Sequence, residues 1–197
     1  QAAVASMKKA SEALSPEVLS RMLNDSASEV RMMAATSLGG FSAEQTGSLL
    51  EELAGRQGEA REIRLNALYA LFAQKNLPAL KNLAAQPDDM QIAANALGLS
   101  VLLMPHDEGL ATILNVFGLS RAETVGDLSH YLMELSDPED IGKLIKAHAG
   151  GNETCRERLI EFIKQFTARK AGPRLDAAIG KLSENEQKAL KALTLVA

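Results

Sequence analysis

The sequence predicts an all-α protein, a solenoid of about six helical hairpins stacked one on another. The apolar residues, 46% of the chain, are mostly aliphatic, while aromatic residues make up 4% and tryptophan is absent. A β-sandwich would need many β-branched and aromatic strand residues. A short amphipathic helix also recurs about every 31 residues, and a fixed period of this length is typical of repeat architectures.

The clearest copy of this helix spans residues 28–40. Its apolar residues fall at i, i+3, i+4 and i+8, which places them on one side of an α-helix, and the pair Gly39 and Gly40 predicts its end. These apolar residues are Val30, Met33, Ala34 and Leu38.

Four later segments repeat the pattern, and each follows another amphipathic segment. With Val30, the first apolar residues of the repeats are separated by 33, 27, 35 and 30 residues; they are Ile63, Met90, Val125 and Cys155. The preceding first helices are predicted at 16–23, 43–54, 77–84, 109–117 and 138–147. A sixth hairpin, 174–182 with 185–195, is expected to cap the stack.

Helix starts and stops support this division. Ser15-Pro16-Glu17 and Asp137-Pro138-Glu139 place a capping side chain before a proline, as at helix N-termini. Gly55, Gly118 and the pair 150–151 lie where helices should end. No Gly/Ser-rich linker divides the chain, so we expect a single repeat domain over 15–197, with 1–14 an Ala-rich lead-in or N-terminal cap.

The segment from Ser28 to Gly39 resembles the second helix of a HEAT repeat, especially the short HEAT-like repeats of bacterial proteins and the phycobilisome-lyase group. Ile63-Arg64 and Cys155-Arg156 repeat its Val-Arg pair, whereas Gln91 and Gly126 depart from it. The resemblance implies a right-handed, armadillo-like superhelix whose second helices line the concave face. It also implies that any arginine-to-acid ladder between repeats is broken in the middle. A tetratricopeptide array ranks lower, because its aromatic pattern needs tryptophan.

Charge is distributed unevenly along the chain. Residues 1–87 are balanced, 88–142 carry a net charge of −9, and 143–197 carry +5. The acidic middle is expected either to be a solvated outer face, to pair with the basic C-terminal segment, or to attract a basic segment of a partner. A net charge of −4 and the absence of tryptophan argue against nucleic-acid binding.

Nothing in the sequence predicts a catalytic site, a metal or a cofactor. The three histidines lie too far apart for a local metal motif, and His106 with Asp107 and Glu108 is interpreted as a solvated loop after Pro105. Cys155 occupies a core position of the repeat, so a buried structural thiol is favoured over a reactive one.

A partner-binding surface is predicted on the second helices. Tyr69 and Tyr131 lie at similar positions of two such helices and could supply apolar anchors. Asp127, His130 and Glu134 flank Tyr131 and would form the acidic part of the same surface.

The resulting hypothesis is a non-enzymatic protein-interaction or scaffold module that uses the concave face of the solenoid. A HEAT-like lyase or chaperone for a chromophore-bearing protein is an alternative that the resemblance suggests, and a HEAT-like nucleic-acid-binding domain is a second. No apolar run of about 18 residues predicts a membrane span. A cytoplasmic location is favoured, and a periplasmic one is possible if Gln1 is a processed N-terminus.

Overall fold

The computed structural model describes residues 14–86, 89–119 and 122–195, and in these segments the regular structure is entirely helical. The expected lead-in over 1–14 therefore lies almost wholly outside the described residues. The described segments contain twelve α-helices: α1 Pro16–Met22, α2 Ser28–Leu38, α3 Ala43–Gly55, α4 Arg61–Ala73, α5 Leu77–Ala84, α6 Met90–Leu103, α7 His106–Phe117, α8 Ala122–Leu135, α9 Ile141–Gly150, α10 Glu153–Arg169, α11 Pro173–Gly180 and α12 Glu184–Leu195.

The chain divides into two compact units, residues 1–104 and 105–197. In the first unit, α1 and α2, α3 and α4, and α5 and α6 form three successive hairpins. The first helices α1, α3 and α5 pack side by side, and so do the second helices α2, α4 and α6. This two-layer stacking of hairpins, with a buried aliphatic core between the layers, is the arrangement of α-solenoid repeats.

The second unit contains the remaining hairpins. Helix α7 pairs with α8, α9 pairs with α10, and a 3₁₀ turn at Pro138–Asp140 leads into α9. Helix α11 packs on α9 and this turn, while α12 packs on α9 and α10. Phe162 joins the core through an edge-to-face contact with Phe117 and a stacked contact with Phe166, with ring centroids 6.2 and 6.1 Å apart.

The predicted hairpins are confirmed as helices, and most predicted ends lie within a few residues of the observed ones. Ser15 occupies the N-cap position of α1, with Pro16 in the first turn, but its side chain makes no capping hydrogen bond. Asn152 caps α10 by accepting a hydrogen bond from the Cys155 N–H at 2.8 Å. None of the helices in the described part of the chain combines the length and apolar character that a membrane span requires.

The start of α7 corrects one expectation. His106, Asp107 and Glu108 were expected in a loop, but they form the first turn of this helix, with Pro105 at its N-cap. Two carboxylates in a first turn interact favourably with the partial positive charge of a helix N-terminus. The loop interpretation of these residues is therefore wrong.

The repeat register also differs from the expected one. Val30, Ile63 and Cys155 are each the third residue of their helix, and the third residues of α6 and α8 are Ile92 and Thr124 rather than Met90 and Val125. The separations between these five positions become 33, 29, 32 and 31 residues, which is a more regular period.

Two arginines connect neighbouring hairpins of the first unit. Arg31 of α2 forms a double hydrogen bond with Glu59, both N–O distances being 2.8 Å. Arg64, at the same position of α4, bonds the Asp89 carboxylate at 2.5 Å and the Ala54 carbonyl at 2.8 Å. The arginine-to-acid ladder implied by the resemblance is thus present between the first three hairpins.

Candidate functional site

An exposed aromatic side chain marks the second-helix face of the first unit. Tyr69 of α4 is 51% exposed, whereas Ala67 and Leu71 of the same helix are buried. Leu65 and Phe72, four residues before and three after Tyr69, are half-buried. Residues at these spacings lie on one face of a helix, so Leu65, Tyr69 and Phe72 form a continuous apolar surface, named here the Tyr69 patch.

The second predicted anchor, Tyr131, is placed differently. Its side chain is only 5% exposed and makes an edge-to-face contact with the His130 ring, with centroids 5.4 Å apart. Tyr69 is the ninth residue of α4, whereas Tyr131 is the tenth residue of α8. One residue rotates a side chain by about 100° around the helix axis, so Tyr131 points into the core and His130 takes the exposed position.

The polar residues predicted on α8 share one face of that helix. Asp127 is half-buried, and His130 and Glu134 are exposed. Their spacings of three and four residues align them along the helix. They form a separate polar strip in the second unit, and Tyr131 contributes no exposed ring to it.

Part of the acidic middle of the chain is neutralised by the basic segment that follows it. Arg174 donates to Glu139 at 2.9 Å and lies 3.9 Å from Asp137. Lys143 bonds Asp107 at 2.6 Å and Asp140 at 2.9 Å. The pairing of the two segments, one of the three expected explanations of the charge pattern, therefore occurs in the second unit.

Asp140 is the centre of a charged cluster at the start of α7 and α9. Its buried carboxylate accepts hydrogen bonds from the Asp137 N–H at 2.8 Å, from Lys143 and from His106 Nε2 at 2.9 Å. Burial raises the pKa of the Asp140 carboxyl, but these hydrogen bonds outweigh it and the pKa lies below its ordinary value. The hydrogen bonds to Asp107 and Asp140 in turn raise the pKa of Lys143.

This cluster contains the kinds of groups that bind a metal ion. Ligand atoms of His106, Asp107 and Asp140 lie within 4.8 Å of one another. The Lys143 ammonium is bonded to both carboxylates, so a protein cation already supplies the positive charge that an ion would bring. The cluster acts as an electrostatic connection between α7 and α9.

Cys155 is a buried free cysteine, which confirms the expected core position. It lies beside a pocket of about 350 Å³ whose wall includes Leu114, Leu119 and Ala147. A Cβ atom added at Gly118 would approach the Cys155 Cβ to 2.6 Å, and one added at Gly151 would approach it to 2.9 Å. The two glycines therefore leave room for the cysteine side chain between the helix ends.

Comparison with known proteins gives no family assignment. No protein-family model matches the chain, and no curated protein sequence matches it. Among solved structures, the chain is similar to the third TOG domain of Drosophila melanogaster Mini spindles, with 14% identity, 91% of this chain and 93% of that chain covered, and a TM-score of 0.47. This likeness is too low to carry an argument, and the functional interpretation depends on the geometry of the chain itself.

Proposed function

We propose that the protein is a non-enzymatic interaction module that binds another protein through the Tyr69 patch. The observation that carries this proposal is the half-exposed tyrosine ring, which lies on the same helix face as the half-buried Leu65 and Phe72. Tyrosine combines a large apolar area with a hydroxyl group, and it is enriched among the residues that dominate protein interfaces.

The surroundings of Tyr69 support a binding role for this face. Helix α4 is held between α2 and α6 in the stack and also packs on α3 and α5. A ring on such a rigid element loses little conformational freedom when a partner covers it, which favours affinity. Leu65 and Phe72 extend the apolar area on either side of the ring.

The wild-type chain is first used to isolate a binding partner from the native host. The experiment then measures the affinity of three variants for that partner. Tyr69→Ala should weaken binding by about tenfold or more, equivalent to about 1.4 kcal/mol. Tyr69→Phe should retain most of the affinity, because it keeps the ring. The exposed Lys188 of α12 provides the control, since Lys188→Ala leaves the patch unchanged.

Equal affinities of wild type and Tyr69→Ala would overturn the assignment of this patch. Circular dichroism of each variant shows whether its helices are intact. Because Tyr69 is exposed in the free chain, its replacement should leave the free energy of unfolding within about 0.5 kcal/mol.

The polar strip of Asp127, His130 and Glu134 is proposed as a secondary contact for a basic segment of a partner. Charges at the rim of an interface mainly affect the association rate and its salt dependence. The strip therefore contributes less to the proposal than Tyr69 does.

A further inference from the structure

The contact that Arg31 and Arg64 make is the same in both hairpin junctions of the first unit. Each arginine is the fourth residue of a second helix. Each donates to backbone carbonyls of its own hairpin: Arg31 to Asp25 and Ser26 at 2.8 and 3.0 Å, and Arg64 to Ala54 at 2.8 Å. Each also bonds an acidic side chain of the following hairpin.

The acidic acceptors occupy adjacent positions just before the second helix of their hairpin. Glu59 directly precedes the N-cap of α4, and Asp89 is the N-cap of α6. Both carboxylates also accept backbone N–H groups at the start of the helix, Glu59 from Ala60 and Asp89 from Gln91 and Ile92. Each acid thus fixes a helix start and receives an arginine from the preceding hairpin.

The first hairpin carries an acid at a comparable place, one residue further from its helix than Glu59. Asp25 lies two residues before the N-cap of α2, and its Oδ1 accepts the Ala27 N–H at 2.8 Å. Asp25 is exposed, and α1 and α2 form the first hairpin in the described part of the chain. The acid thus binds a backbone N–H ahead of its helix, as the later two acids do; its charge also acts on Arg31 of its own hairpin, and the residue is open to solvent.

The apolar residue just before the arginine position, the third residue of each second helix, is also less buried in the first hairpin than in the two that follow. Ile63 and Ile92, the third residues of α4 and α6, are fully or almost fully buried. Each of these helices has a preceding second helix packed against it. Val30, the third residue of α2, is only half-buried.

We propose that the outer face of the first hairpin, defined by Asp25 and Val30, docks a further helical hairpin whose second helix carries an arginine at its fourth residue. Charge complementarity and continuity with the Arg31–Glu59 and Arg64–Asp89 contacts specify this occupant. The last hairpin of a second copy fits less well, because the fourth residue of α12 is Gln187. The inference concerns a different face from the Tyr69 patch and does not depend on the proposed function.

The test adds a copy of residues 14–42 ahead of Gln1 in the full chain. The copied hairpin carries its own equivalent of Arg31, and the free-energy cost of closing a connection rises only slowly with its length. The thermal midpoint of the first unit should rise by about 2–4 °C, and amide exchange in α2 should slow by about tenfold. Asp25→Asn in the original hairpin should remove most of both effects, whereas the control Glu62→Gln on exposed α4 surface should preserve them.

A second variant keeps the test decisive if the extended protein folds poorly. Val30→Lys in the chain without the extra hairpin should shift the midpoint by less than about 1 °C, because a free face tolerates a solvated lysine. A large loss of stability would mean that the face is already covered by the chain itself, which overturns the proposal. The proposal is also overturned if the extra hairpin does not raise the thermal midpoint, or if Asp25→Asn leaves the rise intact. Self-association of the wild-type chain that Asp25→Asn abolishes would overturn it as well.

Discussion

Asp140 shows how one buried carboxylate can join two hairpins. It is 2% exposed, yet it accepts hydrogen bonds from a backbone N–H, a lysine and a histidine. A buried charge is tolerated only when such partners replace the water that it loses. His106 and Lys143 come from different helices, so the carboxylate holds the start of α7 against the start of α9.

Replacing this residue should change the pH dependence of stability. The fold lowers the pKa of Asp140 below the value of about 3.9 in unfolded chains. Its contribution is therefore fully present above that value and is lost as the pH falls through the lower folded-state pKa. Asp140→Asn should cost about 1–3 kcal/mol at pH 7, and the loss of stability between about pH 5 and pH 2 should become shallower than in wild type.

Urea denaturation across this pH range measures the effect. The control is Asp176→Asn, at an exposed position of α11. The pH dependence of its stability should follow that of wild type. Parallel profiles of wild type and Asp140→Asn would contradict the role assigned to this carboxylate.

The two tyrosines show what the sequence can and cannot specify at this scale. Periodicity places both on second helices, and this is confirmed. Their exposure depends on a helix start known to within one residue, because each residue changes the side-chain direction by about 100°. The sequence around the start of α8 contains no proline that would define this start, so the burial of Tyr131 could not be predicted.

At the level of helices, the boundaries were predictable where glycine, proline and capping residues coincide. The loop assigned to His106, Asp107 and Glu108 failed because proline followed by acidic residues is typical both of loops and of the first helical turn. The Asp140 cluster was missed for a related reason. His106 and Asp140 are 34 residues apart, and only the packing of α7 near α9 brings them together.

Gly39 at the end of α2 has a packing role that its sequence position does not reveal. Its backbone is right-handed, with φ of −61°, so the residue is not needed for a left-handed cap. A Cβ atom at this position would lie 3.0 Å from the Ala70 Cβ of α4. Gly39 thus allows α2 and α4 to approach closely.

Gly39→Ala should therefore destabilise the protein by about 1–3 kcal/mol through overpacking. The control is Gly126→Ala in α8, where an added Cβ would meet nothing within 4 Å. That change should instead stabilise the protein by about 0.5–1 kcal/mol, because alanine has the higher helix propensity. Opposite signs in chemical denaturation are expected, and a stabilising Gly39→Ala would contradict the close approach.

Considered as a whole, the chain uses two kinds of ion pair. In the first unit, Arg31 with Glu59 and Arg64 with Asp89 are largely shielded from solvent. In the second unit, besides the pair of Lys143 with the buried Asp140, two pairs are exposed: Arg174 and Glu139 keep more than half of their side-chain area exposed, and Lys146, which pairs with Glu186 at 3.7 Å, is 76% exposed. The overall charge distribution was readable from the sequence, but this difference in burial was not.

Salt should therefore affect the two units unequally. The screening length falls from about 10 Å at 0.1 M to about 3 Å at 1 M salt, and exposed pairs are screened more than shielded ones. Raising sodium chloride from about 0.05 to about 1 M should accelerate amide exchange in α9 and α11 more than in α2 and α4. Exchange measured by mass spectrometry allows the first unit to serve as the internal control, and equal changes would contradict the expectation.

The arginine contacts of the first unit also bear on how the chain folds. Arg31 and Glu59 are 28 residues apart, and Arg64 and Asp89 are 25 apart. Contacts of such short sequence separation close small loops, and chains rich in them fold rapidly, in microseconds to milliseconds. A nucleus formed in one hairpin can then recruit its neighbour through an arginine, so folding is expected to spread along the first unit from whichever hairpin forms first.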